Sequence, residues 1–286
     1  MKVIVSKGIG FCQGVENAIR GTYEALRVHG CVQVSGQIVH NRLICSELER
    51  MGLKVHPDHE IPQPVAEDSV ALIRAHGIDL ESENELKRTF SRVLDFTCPI
   101  VSSVFQLAER LDRQGYTVVV LGKRLHPEVR ALVSRIHRHF LVEDLKDLDP
   151  IIVELQRGDE RIALISQTTM DSEIFERTQA RLEKKLGRRI KAFDTICRFT
   201  KERECTARRL ANEVDLVIVV GAPNSSNTIK LVNIVKNAGT CAILVEDSQD
   251  LSSVSLPETV GVISGTSAST EQVQKILDNI EKMARR

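Results

Sequence analysis

Tryptophan is absent, and aromatic residues make up only 3% of the chain. Stacking platforms for single-stranded nucleic acid are therefore not expected. An excess of either charge is missing as well: Lys+Arg and Asp+Glu each count 39, for a formal net charge of zero. Bulk charge thus gives no support to nucleic-acid binding. No run of about 18 apolar residues occurs, so no membrane-spanning helix is expected. The opening segment MKVIVSKGIGFC reads as a strand and a glycine-rich turn, without the apolar length of a signal peptide. A cytoplasmic location is the expectation. There is no C-x-x-C pair, the usual framework of a structural zinc site. What is present, 42% hydrophobic and 27% charged residues over 286 positions, suits a globular chain of two or three small domains.

Cysteine is the informative residue. There are seven: Cys12, Cys31, Cys45, Cys98, Cys197, Cys205 and Cys241. An odd count in a chain of this size argues against a disulfide framework, which leaves core thiols or metal ligands. Short apolar runs (VALIRAH, TVVVLG, RIALISQ, DLVIVVG, CAILVE, VGVISG) read as buried strands. They alternate with helical patterns over 15–29, 101–114, 172–186 and 271–283. This alternation predicts an α/β fold with mostly parallel sheets.

An internal period sharpens the reading. RVLDFTC ends at Cys98 and KAFDTIC at Cys197, both apolar–Asp–x–x–Cys. Cys12 to Gly36, Cys98 to Gly122 and Cys197 to Gly221 all span 24 residues. Four residues after each Gly stands a polar side chain: His40, His126 and Ser225. Further on, a second buried strand in each copy leads to His76, Thr168 or Ser267. The expectation is three similar units, a trefoil around a central cavity. The units are 13–97, 98–193 and 194–286, the last completed by strand 1–12. Ligands of parallel α/β sheets bind beyond the carboxyl ends of the strands, where all nine positions fall.

Three thiols without a fourth suit an iron–sulfur cubane with one iron free of protein ligands better than a four-ligand zinc site. His126 and Glu128 in HPEV, the Asn224–Asn227 stretch NSSN, and Ser267 with Ser269 stand at expected helix starts, which attract anions such as diphosphate. Simple N-capping is the alternative for any one of them. Glu128 is the carboxylate of these motifs and hence the candidate proton donor.

At these residues the sequence resembles the 4-hydroxy-3-methylbut-2-enyl diphosphate reductases, the LytB family. The matching stretches are GFCQGVENAI, IVHN, RAHG, TCPIV, HPEV, QTT, GAPNSSNT and GTSAS, spread over nearly the whole chain. The resemblance implies a [4Fe–4S] cluster on Cys12, Cys98 and Cys197. It implies a diphosphate held by His40, His76, Ser225, Ser226, Asn227 and Ser267. His126, Thr168 and Glu128 would face the allylic hydroxyl, with Glu128 in the proton relay. Isopentenyl and dimethylallyl diphosphate would be the products, and a flavodoxin or ferredoxin the electron donor. Three segments depart from the family pattern, one of them just after HPEV, where Arg130 and Ala131 stand in a stretch that usually has a Gly. SSVF (Ser102–Phe105) stands where T-K-V-H is common, and Phe199, Thr200, Arg203 and Glu204 stand where A-T-x-x-R-Q is common. They leave open a divergent member that uses the open iron on another substrate.

Overall fold

A computed structural model describes residues 1–58 and 60–284, the side chain of Arg188 excepted. Among these, the chain runs β1 (Lys2–Val5), α1 (Gln13–His29), β2 (Val32–Ser35), α2 (Arg42–Arg50), β3 (Leu53–His56), β4 (Val70–Ile73), α3 (Leu80–Thr89) and β5 (Arg92–Asp95). It continues α4 (Pro99–Arg113), β6 (Tyr116–Leu121), α5 (Pro127–Val133), β7 (His139–Val142), α6 (Leu148–Gln156), β8 (Arg161–Ser166), α7 (Ser172–Leu186) and β9 (Ile190–Ala192). It ends α8 (Arg198–Ala211), β10 (Leu216–Val220), α9 (Ser226–Asn237), β11 (Cys241–Val245), β12 (Thr259–Ser264) and α10 (Thr270–Ala284).

The strands form three four-stranded sheets, ordered β1-β12-β10-β11, β5-β4-β2-β3 and β9-β8-β6-β7. Every pairing given for them is parallel. The expected α/β class with parallel sheets is therefore what the chain adopts. The middle strands follow from composition. TVVVL in β6 and LVIVV in β10 are β-branched runs buried at every position. Helices cover the sheets through periodic apolar stripes. In α4, Val101, Val104, Phe105, Ala108 and Leu111 are the buried face, and Pro99 starts the helix where its missing N–H costs nothing. Leu121 in β6 is fully buried, so Leu121→Ala would cost about 3 kcal/mol.

The chain condenses into two compact units. One combines Met1–Glu16, Val39–Glu47 and Arg198–Arg286, and carries the sheet of β1, β10, β11 and β12. The other combines Asn17–Ile38 and Leu48–Cys197, and carries the other two sheets.

The repeat seen in the sequence recurs in the backbone. Gly36, Gly122 and Gly221 each donate their N–H to the last residue of the neighbouring edge strand: His56, Val142 and Val245. Gly36 adopts φ +75°, and a Cβ there would collide with Asp58 and Arg74. Register also refines the offsets. Leu121 pairs with Ser166 and Val220 with Ser264. Counting onward from these pairs, Thr168 matches Thr266, and Ser267 lies one position beyond. Equal spacing from the glycine does not give equal positions, because the third crossover is one residue shorter.

Candidate functional site

The three repeat cysteines occupy one kind of turn. Cys12 immediately precedes α1, Cys98 is the residue before Pro99 of α4, and Cys197 immediately precedes α8. All three are partly exposed, and none forms a disulfide. Each donates its backbone N–H to a carbonyl just past a strand: Cys12 to Thr266 (3.2 Å), Cys98 to Ala75 (3.0 Å) and Cys197 to Thr168 (2.9 Å). Those acceptors are register equivalents, so the backbone holds the three thiol-bearing turns alike. A helix N-terminus favours the negative charge of an anionic ligand set.

The first unit holds His40, Ser225, Ser226, Asn227 and Ser267. Ser225 caps α9, its hydroxyl accepting from the Thr228 N–H (3.4 Å). Ser226 begins the helix, and Asn227 follows at 2% exposure. Both Nδ2 and Oδ1 of Asn227, and the Oγ of buried Ser267, find no hydrogen-bond partner among the described residues. Leaving such groups buried costs about 1–3 kcal/mol each. Space here is tight. A Cβ on Gly221 would lie 2.5 Å from Thr228 Oγ1, and one on Gly265 would also strike that hydroxyl. The turns around α9 thus tolerate no side chain where GAPNSSNT and GTSAS place glycine.

The second unit holds His76, His126, Glu128 and Thr168. His126 caps α5, with Nδ1 accepting from the Glu128 N–H at 3.2 Å. That contact leaves Nε2 as the ring nitrogen able to donate. The His76 and His126 rings meet edge to face, 5.3 Å between centroids. Glu128 is 2% exposed. Its carboxylate accepts from the Thr168 N–H (2.6 Å) and from Thr168 Oγ1 (2.8 Å). Burial pushes its pKa up to about 7, against the opposing pull of the two Thr168 hydrogen bonds. Near neutral pH this group is poised to hold or release a proton.

Two of the departing segments turn inward. Phe105 is buried in the core and lies under the Arg135 guanidinium (4.6 Å). Its ring occupies the space a side chain at Gly77 would need, 2.7 Å from the added Cβ. Arg203 is 8% exposed, and its Nη2 donates to the carbonyls of Gly8 (2.9 Å) and Gly10 (2.6 Å) in the turn leading to Cys12. Glu204 forms a buried ion pair with Lys230 at 2.7 Å. Nothing in the local sequence marks Arg203 as a partner of the N-terminal turn, because their separation exceeds 190 residues.

The remaining cysteines separate from the repeat. Cys45 is buried, with Sγ bonded to the Val39 carbonyl (3.2 Å), Cys31 is half-buried, and Cys205 and Cys241 are exposed. His59, to which the sequence assigns no role, lies outside the described residues. A groove of about 820 Å³ in the second unit, lined by Lys123, His139, Glu143 and Lys146 among others, contains none of the predicted site residues. No helix of the described residues is long and apolar enough to cross a membrane.

Comparison with known proteins gives a consistent answer. The family model described as LytB protein matches residues 3–281. A 4-hydroxy-3-methylbut-2-enyl diphosphate reductase of Kosmotoga olearia is 43% identical, over 98% of this chain and 95% of that one. A protein of the same name from Pseudothermotoga lettingae is 34% identical over 98% of each chain. Among solved structures, the E-1-hydroxy-2-methyl-but-2-enyl-4-diphosphate reductase of Plasmodium falciparum superposes with a TM-score of 0.86. It is 25% identical, and the match covers 97% of this chain and 87% of that one.

Proposed function

The chain belongs to the LytB family, and from that premise we propose that it is a 4-hydroxy-3-methylbut-2-enyl diphosphate reductase. The reaction breaks the allylic C–O bond of the substrate. Two electrons and two protons enter. One proton leaves with the hydroxyl as water, and the other is added to one end of the allyl unit. The products are isopentenyl and dimethylallyl diphosphate, the terminal step of the non-mevalonate pathway, as one solved relative is described.

Cys12, Cys98 and Cys197 would hold a [4Fe–4S] cluster with one iron lacking a protein ligand. The donor set fits: three partly exposed thiols outside any disulfide, each at the head of a helix and each fixed through its backbone N–H. When bound, the cluster supplies the electrons and a Lewis acid. A small electron-transfer protein, a flavodoxin or ferredoxin, would reload it.

The chain's own residues carry the rest. Ser225, Ser226, Asn227, Ser267, His40 and His76 donate hydrogen bonds to the diphosphate oxygens. Glu128 keeps its proton until pH rises to about 7 and delivers it toward the departing hydroxyl. Thr168 fixes both carboxylate oxygens, and His126, oriented by the Glu128 N–H, presents Nε2 as a donor. The three matching sheets support a reading of three units, 13–97, 98–193 and 194–286 with strand 1–12.

The observation that carries this reading is the buried carboxamide of Asn227 beside a helix start, with Ser267 Oγ equally unpartnered among the described residues. Such groups are retained where a polyanion completes them. The test is anaerobic reconstitution followed by turnover with a chemical reductant. Consumption of 4-hydroxy-3-methylbut-2-enyl diphosphate is expected. An intact cluster that consumes none would overturn the assignment.

A further inference from the structure

Asn41 directly follows His40 in the stretch IVHN, and at 5% exposure it is buried. Its Oδ1 accepts from the Ile44 N–H at 3.2 Å, which makes it the cap of α2. A cap requires an acceptor and nothing more, and Asp or Ser serves as well as Asn. Here the other half of the amide is also engaged. Nδ2 donates to the Ser267 carbonyl (3.0 Å) and to Gln272 Oε1 (3.0 Å). The orientation of the amide is forced, because the Ile44 N–H can only donate and the Ser267 carbonyl can only accept.

Gln272 extends the tie. Its Nε2 donates to the Glu246 carbonyl (2.5 Å), and its backbone N–H donates to Ser269 Oγ (3.0 Å). The Ser269 N–H reaches back to Gln272 Oε1 (3.4 Å). One buried amide, 226 residues away in sequence, therefore sets the backbone of the Ser267–Ser269 turn while its own peptide continues from His40.

We propose that Asn41 is a positioning residue for diphosphate binding, fixing the His40 turn and the Ser267 turn to each other so that both donors are presented preformed. The inference rests on the reading of His40 and Ser267 as diphosphate ligands. Its physical basis is preorganisation: donors held in place before binding lose less entropy on binding, so affinity falls when the tie is cut even though no ligand contact is removed.

The experiment uses the anaerobically purified full chain and inorganic diphosphate as the calorimetric probe. Asn41→Ser keeps an uncharged cap but cannot span to Ser267. Its expected result is a Kd for diphosphate and a KM for substrate raised about tenfold, with iron content unchanged and kcat within about threefold. Asp144→Ala, which removes a cap at the 145–147 turn, serves as the control for general destabilisation. It should lower Tm without moving Kd. Asn41→Thr, a bulkier uncharged cap that likewise cannot reach the Ser267 carbonyl with a donor amide, is the second variant if the serine variant does not fold. Asn41 variants that bind diphosphate as tightly as the wild type would overturn the proposal. A wild-type chain that holds iron yet binds no diphosphate would instead overturn the ligand reading beneath it, and the proposal with it.

Discussion

Asn227 in one unit and Glu128 in the other are buried to the same 2%, yet they are in opposite states. Both polar atoms of Asn227 lack a partner among the described residues, whereas both oxygens of Glu128 are occupied by Thr168. Burial acts on the two differently. A neutral amide cannot escape the desolvation cost by changing its charge, so it stays destabilising until a ligand arrives. A carboxyl group can respond by holding its proton, and Glu128 does so up to about pH 7. The first unit thus keeps unsatisfied hydrogen-bonding groups in its interior, and the second keeps a carboxyl group whose titration is shifted.

The largest effect is expected at Glu128. Glu128→Gln keeps the shape and an acceptor but loses the transferable proton. Its expected kcat is down by about 10²–10⁴, with diphosphate affinity unchanged within about twofold. In the wild type, kcat should hold below pH 7 and decline above it, and the Gln variant should lack that limb. Full activity in the variant would remove the proton role.

Stability offers the next largest effect. Glu128 has a folded pKa of about 7 against an ordinary 4.5, so the folded chain binds the proton more tightly than the unfolded one. Stability is therefore lost as pH rises from about 4.5 to 7, by up to about 3 kcal/mol. Denaturant melts of the wild type and Glu128→Gln across that window should differ by this slope, and parallel curves would contradict it.

Asn227→Leu probes the opposite unit. Diphosphate Kd should rise about 10- to 30-fold through loss of charge-assisted hydrogen bonds, while the steepness of any pH dependence stays the same. The same variant should be more stable without ligand by about 1 kcal/mol, read as a higher Tm, because an unpartnered amide has left the interior. A variant that loses stability would show that the amide is satisfied in the free protein.

The sequence made the middle of each sheet plain and its margins obscure. TVVVL, RIALIS and LVIVV are apolar at nearly every position, which marks a strand buried on both faces. The edge strands LKVH and HFLV are four residues long and partly exposed, so neither length nor alternation distinguished them. The helix expected over 172–186 stands there as α7, and the other three expected helices shift by one or two residues at their ends. The segment expected to begin at 101 starts at Pro99, because the cap is set by Cys98 and the proline rather than by the first apolar residue. The candidate site was legible where chemistry is local: Ser225 and His126 announce themselves as caps. Arg203 on Gly8 and Gly10, Asn41 on Ser267, and Thr168 on Glu128 were not, since each joins residues 40 or more positions apart.

The order of amino acids determined the class of fold, the threefold period and which polar side chains stand at its turns, because burial patterns, turns and caps are written within a few neighbouring residues. Tertiary structure decided their condition: which buried groups are satisfied, which carboxyl keeps its proton, and which crossover is one residue short. Those properties depend on desolvation and on partners brought from distant segments, and no local stretch of the chain contains them.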